Sequence, residues 1–192
     1  MEGHRAAFLD RDGTINVEVN YLYRPADLDF IQGTAPAIAR LNQAGYVVIV
    51  VTNQAGVARG YYSLAALHVL HAHLREQLMG LGARIDAFFF CPHHPDFTGS
   101  CDCRKPAPGM LRAAAQQHQL DLQRSWMIGD SAGDLGAGNA AGCRTILVRT
   151  GYGLAVEQNL QDGALVRPDA IADDLAAAVD HLLLIDGVSG SS

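Results

Sequence analysis

Five short apolar runs alternate with helical patterns along this chain of 192 residues, and this alternation constrains the fold more than any other feature. The runs cover residues 6–9, 46–51, 85–90, 126–128 and 145–148. Strands that are apolar throughout are typical of a parallel sheet that is covered by helices on both faces. We therefore predict an α/β fold with a Rossmann-like, doubly wound, mostly parallel sheet.

Helix-capping residues mark several of the intervening helices. Thr34 is the predicted N-cap of a helix that has Pro36 in its first turn and ends near Gly45. Ser63 is the predicted N-cap of a second helix, in which leucine recurs largely on one side. Further helical patterns cover residues 109–120 and 135–141, and a C-terminal helix is predicted at about 173–184.

The length and the charge of the chain exclude several classes of protein. A chain of 192 residues, 49% of them hydrophobic, suits one domain over residues 1–192 with a core of its own. Its formal net charge of −6 disfavours a nucleic-acid binder, because such proteins are usually basic. No apolar stretch approaches the roughly 18 residues of a transmembrane helix, and residues 1–5 do not resemble a signal peptide. We therefore expect a cytoplasmic monomer that binds neither membranes nor nucleic acids.

Polar residues follow the apolar runs at the edge of the predicted sheet where ligands bind, beyond the carboxyl ends of the strands. Asp10 and Asp12 follow the first run, Thr52 follows the second, and Asp130 follows the fourth. Two carboxylates two residues apart allow one to attack as a nucleophile and the other to transfer a proton. An ordinary polar turn is the alternative for the first pair taken alone.

Lys105 is the only lysine among 14 basic residues. Its compact ammonium suits a phosphoryl group and the negative charge that develops on it. Thr52 and Asn53 offer a hydroxyl and backbone N–H groups to phosphate oxygens. Asp10 and Asp130 are hard oxygen ligands of the kind that Mg²⁺ prefers, although helix N-capping is an alternative role for Asp130.

Three cysteines and a histidine are spaced as C-x-H-x7-C-x-C in the loop 91–103. Cys91, His93, Cys101 and Cys103 would form a closed tetrahedral set, which is typical of a structural Zn²⁺ site. The alternatives are a redox pair of Cys101 and Cys103, or unrelated buried thiols. We predict a zinc-stabilised loop that places the segment around Lys105 at the site.

Four short motifs occur in an order that resembles the haloacid dehalogenase superfamily. They are Asp10-Arg11-Asp12-Gly13-Thr14, Thr52-Asn53, Lys105, and Gly129-Asp130 with Asp134. The match covers about residues 5–150, which are expected to form the core, and residues 14–31 are predicted to form a flap. The resemblance implies a phosphatase with a small α/β core and no large cap domain.

The resemblance also implies a role for each motif residue. Asp10 would be the nucleophile that forms an aspartyl-phosphate, and Asp12 would be the general acid and base. Thr52 and Lys105 would stabilise the transferred phosphoryl group. Mg²⁺ would be held by Asp10, the backbone carbonyl of Asp12, and Asp130.

The zinc loop and residues 52–61 narrow the resemblance to a branch that contains heptose bisphosphate phosphatases and histidinol-phosphate phosphatases. This resemblance implies removal of the 7-phosphate of D-glycero-D-manno-heptose 1,7-bisphosphate, in the synthesis of nucleotide-activated heptose for lipopolysaccharide. Arg59 and Arg104 suit the second phosphate, because guanidinium groups bind phosphate bidentately. Hydrolysis of histidinol phosphate or another small phosphate ester by the same mechanism is the alternative.

Further residues near the motifs are predicted to contact the substrate. Those within the motif segments are Arg11, Asn53 and Gln54. Those in the flap, which would hydrogen-bond sugar hydroxyls, are Glu18, Asn20 and Tyr21. An ordinary surface turn is the alternative for the flap residues.

Overall fold

The computed structural model describes residues 3–160 and 166–187, and its centre is a six-stranded sheet. In chain order the strands are β1 (Ala6–Leu9), β2 (Val47–Asn53), β3 (Ala87–Cys91), β4 (Trp126–Gly129), β5 (Arg144–Val148) and β6 (Ala170–Ala172). Across the sheet their order is β3-β2-β1-β4-β5-β6, and every pair of neighbours is parallel. The predicted α/β class with a doubly wound sheet is confirmed.

Helices cover both faces of this sheet. In chain order they are α1 (Thr34–Gln43), α2 (Ala55–Ala58), α3 (Leu64–Gly80), α4 (Pro95–Thr98), α5 (Gly109–His118), α6 (Ala132–Ala141), α7 (Gly153–Leu160) and α8 (Leu175–Ile185). Helices α1, α3 and α8 contribute to the core on one face, and α5 and α6 contribute to the core on the other. Among the described helices, none combines the length and apolarity needed to cross a membrane.

The central strand β1 shows why its sequence is apolar throughout. Ala7 and Leu9 belong to the core on one face, whereas Ala6 and Phe8 belong to the core on the other. Successive side chains of a strand point to opposite faces, so a strand covered on both faces needs apolar residues at every position. All four side chains are fully buried, and the polar residue that follows them, Asp10, therefore marks the point where the strand leaves the core.

One expectation about secondary structure is wrong, and one strand was not predicted. Thr34 is not an N-cap: the residue before the helix is Gly33, at φ 85°, and the hydroxyl of Thr34 donates to the backbone oxygen of Ile15 at 3.1 Å. The sequence analysis also missed β6, because three residues are too few to show a period. The predicted cap at Ser63 is confirmed, since its side chain accepts from the N–H of Ala66.

The predicted flap leaves the sheet after β1 and returns at α1. Its two arms are joined by backbone hydrogen bonds from Val17 to Asp29 (2.9 Å) and from Ile31 to Ile15 (3.1 Å). This excursion holds residues 14–31 over the carboxyl edge of the sheet. The predicted single domain also includes residues 1–2, 161–165 and 188–192, which lie outside the described residues, so the boundaries remain a prediction.

Candidate active site

A cleft of about 160 Å³ lies where the carboxyl ends of the strands meet. Its lining residues are Asp10, Asp12, Glu18, Thr52, Asn53, Lys105, Asp130, Ser131 and Tyr152. The strand ends hold most of these side chains, and the flap supplies Glu18. The four motifs are far apart in the sequence, and the parallel sheet brings all of them to one place.

The ammonium of Lys105 is the centre of the buried charge network. Its Nζ lies 2.9 Å from Oδ1 of Asp10 and 2.6 Å from Oδ1 of Asp134, and it donates to the backbone oxygen of Val51 at 2.8 Å. Burial alone would lower the pKa of Lys105, but the two carboxylates outweigh it and raise that pKa above its ordinary value. The lysine is therefore a fixed positive charge beside the predicted nucleophile.

Three carboxylates converge with this lysine. Asp10, Asp130 and Asp134 each offer an oxygen within 4.8 Å of the others. Burial and the charge of Asp134 raise the pKa of Asp130 to about 7, and they raise the pKa of Asp10 although Lys105 opposes the shift. Mutual repulsion of this kind is what a bound divalent cation relieves, and carboxylate oxygens are the ligands that Mg²⁺ prefers. The donor set therefore fits the predicted metal.

Asp134 is committed to internal contacts on both of its oxygens. Oδ1 faces Lys105, while Oδ2 accepts from the N–H (3.0 Å) and the hydroxyl (2.6 Å) of Ser131. Ser131 in turn is the N-cap of α6, so the pair forms a capping box at the start of that helix. This arrangement leaves Asp10 and Asp130, which line the cleft, as the carboxylates that would hold a cation there.

Two glycines let Asp130 approach the first motif. A Cβ atom on Gly13 would lie 2.1 Å from Oδ2 of Asp130, and a Cβ on Gly151 would lie 2.0 Å from the same atom. Gly13 also has φ +80°, a conformation that other residues rarely adopt. The hydroxyl of Thr150 donates to the backbone oxygen of Gly13 at 2.6 Å, and the N–H of Tyr152 donates to Oδ2 of Asp130 at 2.8 Å. The segment after β5 thus closes the side of the cleft on which Asp130 lies.

The carboxylate of Asp12 is held from behind by three side chains. Arg11 donates to both oxygens, with Nη2 at 2.8 Å from Oδ2 and Nε at 3.1 Å from Oδ1. Asn16 donates to Oδ1 at 3.0 Å, and Gln54 donates to Oδ2 at 3.2 Å. Asp12 itself keeps 18% of its side chain exposed and lines the cleft.

The side chains of two predicted substrate contacts, Arg11 and Gln54, make internal hydrogen bonds. The side chain of Arg11 is fully buried, and Gln54 is 3% exposed. Gln54 donates to the hydroxyl of Thr52 at 2.8 Å and accepts from that of Tyr62 at 2.6 Å. Neither side chain lines the cleft, and both support residues that do line it, so their contact with the substrate stays a prediction. Their position in a motif did not reveal which way they point.

Asn53 lines the cleft, but its amide is used to orient another residue. Its Nδ2 donates to the backbone oxygen of Lys105 at 3.1 Å, and its Oδ1 accepts from the backbone N–H of Lys105 at 3.0 Å. This reciprocal pair fastens the end of β2 to the segment that carries the lysine. Asn53 therefore fixes the position of the Lys105 backbone through both polar atoms of its amide.

The flap residues are distributed unequally around the cleft. Glu18 lines it, and burial together with the nearby charge of Asp12 raises the pKa of Glu18. Asn20 and Tyr21 have positive φ angles of 52° and 67°. The ring of Tyr21 packs edge-on against Tyr61, with 4.8 Å between centroids, and it is not part of the cleft lining.

The two predicted phosphate-binding arginines are tied to the loop 91–103. Nη2 of Arg59 lies 3.2 Å from Nε2 of His94, and its guanidinium lies 4.9 Å from the centroid of Phe97. Arg104 donates from Nη1 to the backbone oxygen of His93 at 3.3 Å. Both side chains therefore sit on the loop side of the molecule and outside the lining of the 160 Å³ cleft.

The three cysteines of this loop converge, and none of them forms a disulfide. The sulfur of Cys91 lies 2.9 Å from that of Cys103 and 3.5 Å from that of Cys101, and the last two are 3.4 Å apart. Among the described residues, the set of close ligand atoms here consists of the three sulfurs, and His93 is outside it. Three convergent thiols are a donor set that fits zinc.

The sequence analysis missed Ser131 and Tyr152 as cleft residues. Tyr152 lies shortly after β5, which is the fifth apolar run. The residues that follow this strand were not considered as site residues, although its carboxyl end lies at the same edge of the sheet. A larger cavity of about 620 Å³ adjoins the cleft and shares Glu18 and Tyr152 with it. The other residues of this cavity are Val17, Val19, Asn20, Ile31, Thr150 and Gly151, so its lining carries no cation.

Comparison with known proteins gives several matches to the sequence. A family model described as HAD-hydrolase-like matches residues 102–178. The chain is 48% identical over 186 residues to D-glycero-D-manno-heptose-1,7-bisphosphate 7-phosphatase of Thermosynechococcus vestitus, covering 92% of this chain and 94% of that protein. It is 46% identical over 177 residues to D-glycero-beta-D-manno-heptose-1,7-bisphosphate 7-phosphatase of Pseudomonas aeruginosa, covering 91% and 96%.

A solved structure extends the similarity to three dimensions. The D,D-heptose 1,7-bisphosphate phosphatase of Bordetella bronchiseptica, crystallised with magnesium and phosphate, superposes with a TM-score of 0.85 at 39% identity. The match covers 94% of this chain and 99% of that one. The similarity therefore extends over nearly the whole of both chains.

Proposed function

The chain belongs to the haloacid dehalogenase-like family of heptose bisphosphate phosphatases and is a phosphoric monoester hydrolase, and we propose that it removes the 7-phosphate of D-glycero-D-manno-heptose 1,7-bisphosphate. The observation that carries this proposal is the convergence of Asp10, Asp12 and Lys105 in one cleft. The product would serve the synthesis of nucleotide-activated heptose for lipopolysaccharide.

Asp10 is the nucleophile in this proposal. Its carboxylate attacks the phosphorus, and the bond from phosphorus to the sugar oxygen breaks as an aspartyl-phosphate forms. Asp12 donates a proton to the departing sugar oxygen and later takes one from the water that hydrolyses the aspartyl-phosphate. Lys105 and Thr52 stabilise negative charge on the phosphoryl oxygens in both steps. The distance of 2.9 Å between Lys105 and Asp10 supports these roles.

Magnesium would be held by Asp10, the backbone carbonyl of Asp12, and Asp130. When bound, it neutralises the charge of the carboxylates and of the phosphate. The raised pKa of Asp130, which burial and Asp134 cause, supports this assignment because those carboxylates repel one another. Gly13 supports it as well, because it leaves room for Asp130 beside the first motif.

Zinc would be held by Cys91, Cys101 and Cys103, and His93, which lies outside the cluster of sulfur atoms, is the proposed fourth ligand. Four protein ligands leave no open position, so the role of this metal is structural. It would fix the loop that supports Arg104 and precedes Lys105. The convergence of three free thiols supports the proposal.

The substrate assignment rests on charge on the loop side of the cleft. Arg59 and Arg104 are held by His94 and by the backbone of His93, and they are the predicted ligands of the second phosphate. Glu18, which lines the cleft, is the proposed contact of the sugar hydroxyls. Histidinol phosphate has no second phosphate for the two arginines to bind.

The location and assembly of the protein remain part of the proposal. Free thiols clustered in a loop are typical of a reducing compartment, which supports the cytoplasm. A monomer is proposed because one cleft on one chain holds all the catalytic residues of the mechanism. Light scattering of the purified protein measures the mass directly, and a dimer would overturn the proposed monomer.

The deciding experiment measures phosphate release in the presence of Mg²⁺ from the heptose bisphosphate and from histidinol phosphate at matched concentrations. We expect kcat/KM to favour the heptose by about a hundredfold or more, which is roughly 3 kcal/mol of transition-state binding. Phosphorus NMR of the product should show the 1-phosphate retained. Asp10→Asn should abolish turnover in a protein that is still folded.

Each other outcome overturns a definite part of the proposal. Preference for histidinol phosphate would retain the mechanism and remove the substrate assignment together with the role of Arg59. Turnover of neither compound by protein with both metals bound would remove the heptose assignment altogether. Residual turnover by Asp10→Asn close to that of the wild type would remove Asp10 as the nucleophile.

A further inference from the structure

A fully buried guanidinium connects the catalytic cleft to a helix on the far side of Asp12. We infer that Arg11, held from behind by His71, is a positioning residue that fixes the carboxylate of Asp12 for proton transfer to the leaving group. This inference rests on the proposed function, in which Asp12 is the general acid. It assigns a role to Arg11 and His71, neither of which lines the cleft.

The contacts of Arg11 account for all three of its nitrogen atoms. Nε and Nη2 donate to Asp12 as a fork, and Nη2 also lies 3.1 Å from the backbone oxygen of Leu22 and 3.3 Å from Oε1 of Gln54. Nη1 lies 3.2 Å from Nε2 of His71. A buried cation is costly unless its charge and its donors are satisfied, so the guanidinium has little freedom to turn.

His71 acts as an acceptor for this guanidinium. Burial is the main cause that lowers its pKa to about 3, and the charge of Arg11 adds to the effect. The ring is therefore neutral at physiological pH, and a neutral imidazole has one nitrogen that accepts a hydrogen bond. It is 4% exposed and stacks on Phe88, with 4.6 Å between centroids and 17° between planes. Helix α3 and strand β3 thus hold the acceptor in place.

The fork gives Asp12 one orientation. Arg11, Asn16 and Gln54 donate to its two oxygens from behind, while its side chain remains partly exposed in the cleft. A general acid must lie within hydrogen-bond reach of the atom that it protonates, and small displacements of such a group lower the rate steeply. The network therefore acts on the proton-transfer step rather than on the phosphate contacts of Lys105.

The test compares two leaving groups. The heptose bisphosphate releases an alkoxide that needs a proton, whereas 4-nitrophenyl phosphate releases a weakly basic phenolate that needs none. The value of kcat/KM covers the steps up to release of the leaving group. The ratio of kcat/KM for the heptose bisphosphate to kcat/KM for 4-nitrophenyl phosphate therefore measures the contribution of the general acid. A purely structural defect lowers both values equally, since it reduces only the active fraction of the protein.

The variants are Asp12→Asn as the reference, Arg11→Lys, and the pair His71→Phe and His71→Gln. Phenylalanine keeps a ring to stack on Phe88 but offers no acceptor, whereas the glutamine oxygen restores one.

We expect Asp12→Asn to lower the ratio by about 10²-fold or more. Arg11→Lys should lower it by about tenfold, because an ammonium cannot replace the fork. His71→Phe should lower it by at least about threefold, and His71→Gln should recover most of that loss.

Two outcomes would overturn the inference, and they are distinguishable. If Asp12→Asn lowers kcat/KM equally for both compounds, Asp12 is not the general acid, and the proposed mechanism fails together with the inference. If Asp12→Asn is selective but the Arg11 and His71 variants lower both values equally, the mechanism stands and the inference alone is wrong. Failure of Arg11→Lys to fold leaves the decision to the His71 pair.

Discussion

The Nζ atom of Lys105 lies 2.6 Å from Oδ1 of Asp134, and both side chains are almost completely withdrawn from solvent. Asp134 also forms a capping box with Ser131 at the start of α6, so one carboxylate contacts both the first turn of the helix and Lys105. The position of the ammonium is consequently set by the start of a helix. The ammonium is thereby held beside Asp10, the proposed nucleophile.

We predict that Lys105→Arg inactivates the protein as strongly as Lys105→Met does. The ammonium occupies a closed site between two carboxylates and a backbone oxygen, with 2% of its side chain exposed, and a planar guanidinium is too large for it. We expect kcat to fall by at least about 10²–10³-fold in both variants. Steady-state phosphate release is the measurement, with circular dichroism to confirm folding. An arginine variant within tenfold of the wild type would contradict the prediction.

We predict that Gly13→Ala removes the metal-dependent activity while Gly45→Ala does not. Both glycines have φ +80°, so both substitutions carry a similar conformational cost of about 1–2 kcal/mol. Only at Gly13 does the added Cβ meet Asp130, at 2.1 Å, whereas nothing lies within 4 Å at Gly45. Titration of activity with Mg²⁺ should therefore show a large loss for the first variant alone. Equal losses in both would mean that backbone strain, and not displacement of Asp130, is the cause.

We predict that zinc content depends on Cys101 and not on Cys143. Cys101 lies in the cluster of three thiols, whereas Cys143 is a buried thiol outside the loop. Elemental analysis should give about one zinc ion per chain for the wild type and for Cys143→Ala, and almost none for Cys101→Ala. The zinc-free protein should also unfold at a lower temperature, since a bound structural metal stabilises the fold. Zinc retained by Cys101→Ala would contradict the assignment.

We predict that His71 makes the folded state lose stability as the pH falls. Burial lowers its pKa to about 3, from an ordinary value near 6.5, so between these limits the unfolded chain binds a proton that the folded chain does not. The free energy of unfolding should then decrease towards low pH by up to about 1.4 kcal/mol per pH unit. Urea unfolding at several pH values from 7 to 4 gives the difference in the free energy of unfolding between the wild type and His71→Gln. A constant difference over this range would show that the histidine does not titrate there.

Several residues of the candidate site could be predicted from the sequence because they follow the ends of parallel strands. Asp10, Thr52 and Asp130 each follow an apolar run, and a parallel sheet brings such ends together whatever the loops do. Lys105 was found by its rarity and by its place in a motif rather than by any strand. The α/β class followed from the same alternation.

Side-chain direction could not be predicted in the same way. Arg11 stands between two cleft residues in the sequence, yet it points into the protein because His71 and Leu22, far along the chain, provide its acceptors. Gln54 turns inward for a similar reason, since the hydroxyl of Tyr62 meets its oxygen. These contacts depend on how α3 and the flap pack, and no local pattern records that packing.

The reciprocal hydrogen bonds between Asn53 and the backbone of Lys105 fix the position of Lys105 independently of the loop 91–103 that precedes it in the sequence. The loop 91–103 starts at the end of β3 and returns to the site just before the hydrogen bonds between Asn53 and Lys105. We therefore expect insertions or deletions within the loop to leave the position of Lys105 unchanged. Because the loop also holds Arg59 and Arg104, the proposed ligands of the second phosphate, we expect changes in its length to alter substrate preference more than the chemistry at Lys105.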